Sequence, residues 1–493
     1  MSKVRDIFSG ISIKWLAVVA IIILAPLVGL AVAAGKTRTV AIIFLPFGLL
    51  AIASFSRRLK FWLLALSIPL SLVQIPSLPI PYGFTLCEII LLALTMDELL
   101  FSRNHVSSEY LRSEIFFLLM LFPLGLFAFA GLVTAIENGG ITLANSGFTA
   151  WHTYCLMPLL WFFLAHRKIH NWEDAWLFVK LSLVTIACYV AMVVWANETR
   201  HFIIMVPTLT DPGRLGDYQL IMFGPIRLHV FAIALGSLVA LGFPAGIVLW
   251  LTAKGISWWR IIAPLMLVGF AFTLIYSAAR GATVAAILGI ILTILASGIF
   301  RITRLWVGIA LLAVIIILFG GIILKLFPEQ NIARLLTLSQ GILGERTFKV
   351  RTDALALVWK LTLQKPLGIG YNYVYYAFRI DDALIYGFIL ETTGILGAFA
   401  FLLIVGQLVY KFALIALKSP LGSTRNLAAL GLSTLVVGLV AGVSAYDVLF
   451  APVNAFVFWA MMAVCYCAVQ IPKLAPLAES PLVRRVGERL FEQ

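Results

Sequence analysis

Charge is scarce in this chain, and acidic charge most of all. Only 12% of its 493 residues are charged, with 22 Asp and Glu against 36 Lys and Arg, while 62% are hydrophobic and the mean hydropathy is +1.05. A soluble globule needs far more polar surface than this to face water, so that class is excluded. The short segments of alternating polarity that a transmembrane β-barrel requires are also missing. Cysteine is sparse: Cys87, Cys155, Cys188, Cys465 and Cys467 all fall inside apolar runs. They read as small apolar fillers, which leaves no disulfide or metal framework. The first apolar run does not end in a small-residue cleavage site followed by soluble sequence, so it is expected to remain as a span. No internal repeat is visible, which argues against a transporter built from duplicated halves.

What the chain has instead is long apolar runs, mostly matching the ~20 residues a helix needs to cross ~30 Å of hydrocarbon. In the first half these fall at about 13–34, 39–55, 59–75, 83–101, 115–135, 149–165 and 175–196. In the second half they fall at about 228–252, 258–278, 281–300, 304–327, 386–410, 426–445 and 449–470. The expected fold is therefore an all-α polytopic membrane protein of about fourteen transmembrane helices. It divides into a first set of seven helices within residues 1–210, a second region at 211–470 that includes a long polar loop at 328–385, and a basic tail at 471–493.

Placing the N-terminus in the cytoplasm gathers Lys3, Arg5, Arg57, Arg58, Lys60, Arg103, Arg112, Arg167, Lys168, Lys254, Arg260, Arg301 and Arg304 on that side. Lys411, Lys418, Arg425, Lys473, Arg484, Arg485 and Arg489 join them, so every cytoplasmic connection is basic and both termini are cytoplasmic. The net charge of +14 is then largely this bias toward anionic lipid, and no nucleic-acid partner is expected. Beyond the short Lys36/Arg38 turn, three basic regions remain outside: the 198–227 loop, the turn at Arg280 and the 328–385 segment.

Each outside region carries candidates. Arg214 lies in Asp211-Pro-Gly-Arg-Leu-Gly-Asp217, where the plain alternative is an arginine snorkelling to headgroups. Arg280, in Ser277-Ala-Ala-Arg280-Gly-Ala, joins two spans with almost no loop, and a charge at that depth is functional by default. Its plain alternative is a salt bridge to a loop carboxylate.

In the long segment, Arg334, Arg346, Lys349, Arg351, Lys360, Lys365 and Arg379 bring positive charge where it is normally sparse. The spacing of Phe348, Leu355, Val358, Trp359 and Leu363 predicts an amphipathic helix over 346–364, stopped by Pro366 and lying at the membrane surface. Gly368 and Gly370, ahead of Tyr371 and Asn372, predict a turn whose backbone N–H groups are able to approach a phosphate. A plain helix-ending turn is the alternative. Asp381, Asp382 and Glu391 are the nearest carboxylates, and balancing neighbouring arginines is their plain role.

Other charges weigh less. His166 and His170 with Glu173 and Asp174 have a spacing that suits a metal but occupy a short solvated connection. Lys180 is placed to pair with a carboxylate of a neighbouring helix, and Gly438-x-x-x-Gly442 permits close helix packing.

Together these residues resemble the bacterial O-antigen ligase and O-antigen or exopolysaccharide polymerase superfamily. In that superfamily an arginine opens a helix containing a tryptophan upstream of Pro-Leu-Leu-Gly-Val-Gly, as Arg351, Trp359 and Pro366-Leu-Gly-Ile-Gly do here. Ser277-Ala-Ala-Arg280-Gly is similar to its Ser-Arg-Gly turn, and Gly213-Arg-Leu-Gly to its upstream arginine motif. Glu391-Thr-Thr-Gly-Ile-Leu-Gly is similar to the start of the span after its large periplasmic loop. The likeness covers about residues 210–400 in order, whereas the first seven spans share hydropathy alone. Ligases of the family carry a histidine and asparagine shortly before the last motif. This chain has Ile380-Asp-Asp-Ala there, which leans toward polymerisation.

The resemblance implies a GT-C-type glycosyltransferase of the bacterial inner membrane that polymerises undecaprenyl-diphosphate-linked oligosaccharide at its periplasmic face. It implies no metal or other cofactor, and it implies chain-length regulator and flippase proteins as partners beside the bilayer. Arg280, Arg214 and Arg351 would hold the diphosphate. Asp381 or Asp382 would serve as base by position. Arg346, Lys365, Gly368, Gly370, Tyr371, Asn372 and Glu391 would line the substrate, with Tyr373, Tyr375 and Tyr376 gripping sugar. Two alternatives stay open: ligation of finished glycan to lipid A core, and flipping of lipid-linked oligosaccharide.

Overall fold

The computed structural model describes residues 55–71, 86–101, 156–199, 203–205, 218–223, 226–253, 257–277, 279–301, 346–370, 385–444 and 452–470, with isolated positions near 125, 133 and 303–310. Its body is helical. The first group comprises α1 (Arg57–Leu70), α2 (Leu86–Phe101), α3 (Met157–Lys168) and α4 (Trp172–Thr199). A second group comprises α5 (Ala232–Thr252), α6 (Trp259–Ser277), α7 (Arg280–Ser297), α8 (Arg346–Gln364), α9 (Ile385–Lys418), α10 (Ser423–Ser444) and α11 (Pro452–Ala468). Six of these are long and apolar enough to cross a membrane: α4, α5, α6, α7, α9 and α10.

One element departs from the all-α expectation. The connection before α5 holds a three-stranded antiparallel sheet, β1 (Ile203–Met205), β2 (Tyr218–Phe223) and β3 (Ile226–Phe231), in that spatial order. Tyr218 pairs with Phe231 and Phe223 with Ile226 across a two-residue connection, and Ile203 pairs with Ile221. The apolar run expected to start a span at 228 therefore begins as a strand, and the helix starts at Ala232. A short apolar run satisfies a buried strand as well as a helix, so hydropathy does not separate the two.

Local chemistry sets the helix ends. Ser56 caps α1 through Oγ, which accepts the Leu59 N–H at 3.3 Å. Asn171 caps α4, accepting the Asp174 N–H at 2.7 Å, with Glu173 and Asp174 complementing the helix dipole. α7 stops at Gly298, whose φ of 73° is the left-handed conformation of a helix C-terminus.

The helices pack through small residues and a few hydroxyls. Gly242 and Gly246 of α5 sit against Phe270 and Leu267 of α6. Gly289 of α7 sits against Val437 of α10, where Thr293 Oγ1 also donates to Ser433 Oγ at 2.8 Å. Gly438 faces the Phe458 ring of α11, so its role is close packing inside this chain.

One end of this bundle is basic. There Lys60 Nζ meets Asp97 at 2.7 Å and Lys168 Nζ meets Glu98 at 2.5 Å, joining α1 and α3 to the last turn of α2. Arg425 Nε donates to the Ala296 carbonyl at 2.8 Å, tying the start of α10 to the end of α7, and Arg260 Nε donates to Ala253 between α5 and α6. Lys180 lies over the Trp259 ring, a cation–π contact in place of a carboxylate pair. His166 is buried with Nδ1 2.7 Å from the Phe162 carbonyl, whereas His170 is exposed. Among the described residues no group of His, Cys, Asp and Glu is arranged to hold a metal. Exposed Trp62, Trp172, Trp258 and Trp306 mark this end and Trp195 and Trp359 the other, as aromatic belts do at the two faces of a bilayer.

Candidate functional site

The site of interest is the end opposite the basic one. α6 ends at Ser277 and α7 begins at Arg280, so the connection is as tight as the sequence implies. The turn is held down from below. A Cβ at Gly236 of α5 would lie 2.6 Å from Ala279 Cβ, 3.1 Å from Ser277 Oγ and 3.3 Å from Ala282 Cβ. Ser277 and Ala279 are buried, and Arg280 is half-buried in the first turn of α7, which carries no acidic residue. A cation at a helix N-terminus opposes the helix dipole and so adds nothing to helix stability. The same place is well made for an anion, which the dipole and the guanidinium attract together.

α8 runs over Arg346–Gln364, the bounds expected from its periodicity, and packs on α9. Its inner face puts Val358 with Ile369 and Leu390, flanked by Leu357, Leu361, Ile395 and Ala398. Arg351 is half-buried on this helix, while Lys349, Lys360 and Lys365 are exposed. Trp359, Leu363 and Leu367 form an exposed apolar stripe beside those lysines, the pattern of a helix lying in a membrane interface.

Beyond α8, the 366–370 turn enters a break in α9. Gly394 has φ 69° and ψ −171°, non-helical values inside a 34-residue helix. In an unbroken helix the Ile395 N–H would donate to the Glu391 carbonyl. Here Ile395 N donates to the Pro366 carbonyl at 3.0 Å, while the Glu391 carbonyl accepts from Ile369 N at 2.9 Å and Gly370 N at 3.3 Å. Gly368 and Gly370 adopt φ of 103° and 106°, and a Cβ at Gly394 would lie 2.0 Å from the Pro366 oxygen, so backbone meets backbone with no room for side chains.

This arrangement corrects one expectation. The N–H groups of Gly368, Ile369 and Gly370 donate to Lys365, Glu391 and Glu391 carbonyls, so they are engaged within the protein instead of lying open to a phosphate. Residues 387–394 are buried on every side, and the Glu391 side chain is fully buried there. Thr392 and Thr393 turn their hydroxyls back to the Phe388 and Ile389 carbonyls at 2.8 and 2.7 Å. Residues 395–418 alone, at 1.5 Å per residue, are about 36 Å long and sufficient to cross the bilayer. Residues 395 onward therefore suffice for the span, and the residues before the break are a separate short helix at the end of the bundle opposite the basic one.

Helix register brings the pieces to one height. Gly289 lies against Val437, and Gly431 against Phe412, so both α7 and α9 are indexed to α10. Carrying those registers along the helices puts Arg280 and Gly394 within about one helical turn of the same level. β3 runs directly into α5 at this end, so the sheet also sits here.

Of the expected site residues, the structure thus brings Arg280, Gly368, Gly370 and Glu391 to one end, with Lys365 exposed beside the turn and Arg351 half-buried on α8. Arg346 opens α8. Arg214, Tyr371, Asn372, Tyr373, Tyr375, Tyr376, Asp381 and Asp382 lie outside the described residues. Sequence reasoning missed Gly394 and Gly236. Gly394 stands within the quoted Glu391-Thr-Thr-Gly motif, but nothing local marks a helix break there, because its partner turn lies far away in sequence; the signal for Gly236 was only a glycine early in an apolar span.

No family model matches the chain, and no curated protein matches it. Among solved structures it is similar to a chain from "Structural coordination of polymerization and crosslinking by a peptidoglycan synthase complex", at 14% identity, covering 72% of this chain and 97% of that chain, with a TM-score of 0.37. A likeness that distant transfers no activity.

Proposed function

We propose that this protein is a membrane glycosyltransferase that extends a glycan carried on a polyprenyl diphosphate, most concretely undecaprenyl-diphosphate-linked oligosaccharide polymerised into O-antigen or exopolysaccharide. The observation that carries the reading is Arg280, a half-buried cation at a helix N-terminus on the end of the bundle opposite the basic one. By the positive-inside rule the basic end is cytoplasmic, so Arg280 faces the periplasm from the inner membrane. On this reading the chain has about fourteen spans and a GT-C-type architecture, with 328–385 as its periplasmic loop.

In the reaction an acceptor sugar hydroxyl attacks the anomeric carbon of the donor. The new C–O bond forms as the bond from that carbon to the diphosphate oxygen breaks, and the polyprenyl diphosphate departs with the electron pair. Negative charge grows on the leaving oxygen, and fixed cations at that point lower the barrier more than they favour the bound substrate. On this reading Arg280 takes up that charge, with Arg351 on α8 and Arg214, which falls in sequence between β1 and β2, as its partners. Arginine suits the task because it stays charged and meets phosphate oxygens through a planar fork. The hydroxyl proton passes to a carboxylate, for which Asp381 and Asp382 are nearest by position.

The test is reconstitution of purified protein in nanodiscs with lipid-linked oligosaccharide, reading products on a gel with Arg280→Ala alongside. A ladder from the wild type alone supports the assignment. Equal ladders from both proteins would remove Arg280 from the chemistry. Transfer of whole preformed chains to a lipid A core acceptor, with no chain growth, would replace polymerisation by ligation.

A further inference from the structure

The 366–370 turn and the break in α9 complete each other. At the break the Glu391 carbonyl and the Ile395 N–H lose the helical bond between them; the turn supplies donors for the first and an acceptor for the second. Unmet backbone groups are strongly disfavoured in an apolar bundle, so neither half of this contact is comfortable without the other. The N–H groups of 368–370 are all engaged within it, which argues against direct contact between that backbone and substrate. What the joint does control is α8, whose inner residue Val358 packs with Ile369 of the turn and with Leu390, one turn before the break.

We propose that Gly368 and Gly394 are positioning residues: by seating the turn in the α9 break, close to the level of Arg280, they fix α8, the helix that carries Arg351. They act on the reaction through Arg351, without touching substrate. This rests on the reading of an anionic donor at that end of the bundle. It deepens that reading by naming what brings the second arginine to the site. The design is rigid on both sides of the site, with Gly236 seating the Arg280 turn and Gly394 seating α8.

The experiment uses full-length protein in nanodiscs, in a background in which the five native cysteines are replaced, with Val358→Cys and Leu390→Cys as a reporter pair. Disulfide formation between the two reports whether α8 is seated, independently of any substrate. Gly394→Ala, whose Cβ would collide with the Pro366 oxygen, should reduce cross-linking and lower chain growth about a hundredfold, as expected when a reacting group is misplaced. Gly368→Ala, the milder change with its Cβ at 3.0 Å from the Glu391 oxygen, should reduce both in part. Oxidising the pair in Gly368→Ala should then restore chain growth to that of the cross-linked parent, a rescue that a misfolded protein would not show.

Unchanged cross-linking in Gly394→Ala would overturn the proposal. So would lost cross-linking with full chain growth, or a Gly368→Ala protein whose chain growth stays reduced once cross-linked. If the wild type elongates no lipid-linked glycan, the proposed function falls. Cross-linking alone then decides whether the two glycines seat α8.

Discussion

The Glu391 carbonyl accepts the Ile369 N–H at 2.9 Å, a bond between the end of the α8 turn and the interior of α9 that replaces the helical bond from Ile395. It joins the two segments whose sequences carry the family resemblance, 351–370 and 391–397, and it does so through backbone alone. The resemblance named these segments separately. Their direct contact comes from the structure.

Arg280→Ala should lower chain growth by about a hundredfold or more, the usual cost of removing one charge-stabilising donor at a transition state, with little change in melting temperature. Arg280→Lys keeps the charge and loses the planar fork, so it should fall between wild type and alanine. Turnover at saturating donor measures both. Equal rates in alanine and wild type would refute the role.

Gly236→Val tests the seat beneath Arg280. Its first added carbon meets Ala279 at 2.6 Å and Ser277 at 3.1 Å, residues at the facing ends of packed helices that yield little. Overpacking of this kind costs about 1–3 kcal/mol. The expected result is a lower melting temperature and reduced turnover, with the Val358/Leu390 cross-link unaffected because that joint is on another pair of helices. A variant with wild-type turnover would show that the height of the Arg280 turn is unimportant.

The Lys168–Glu98 pair at the basic end is buried on both sides, with side-chain exposures of 6% and 4%. Lys168→Met leaves the Glu98 carboxylate buried without that cation and should destabilise the protein by on the order of 3–5 kcal/mol. The double variant with Glu98→Leu should recover most of the loss, since an apolar pair of similar volume removes both desolvation penalties. Thermal unfolding in detergent across the four proteins gives the coupling. Additive effects would mean that the pair does not act as a unit.

Gly406→Ala is the contrasting glycine. It lies in α9 with nothing within 4 Å of an added Cβ, so alanine meets open space and gains helix propensity of about 0.5–1 kcal/mol. Its melting temperature should stay level or rise, with turnover unchanged. A loss like that at Gly394 would mean that α9 resists any change along its length, and would weaken the case for a special break.

The helices were legible where a local signal repeats. Trp359 and Leu363 at helical spacing, closed by Pro366, defined α8 to its terminal residues, and the absence of any loop between Ser277 and Arg280 showed a tight turn. The β2–β3 hairpin was not legible by hydropathy, because the apolar end of β3 runs without a break into the span it adjoins; Gly224-Pro225 between the two strands was the available sign. The break at Gly394 was hidden for a different reason. Its hydrogen bonds run to residues 25 or so positions away, and no window short enough to show periodicity contains both partners.

A joint made of main chain imposes an uneven demand on evolution. Leu367 points outward, half exposed, so that position is open to many residues. Positions 368 and 394 are open to one. Homologues that keep this joint should therefore vary at exposed positions such as 367 while holding both glycines, and a search tuned to side-chain similarity would undervalue the two letters on which the joint depends.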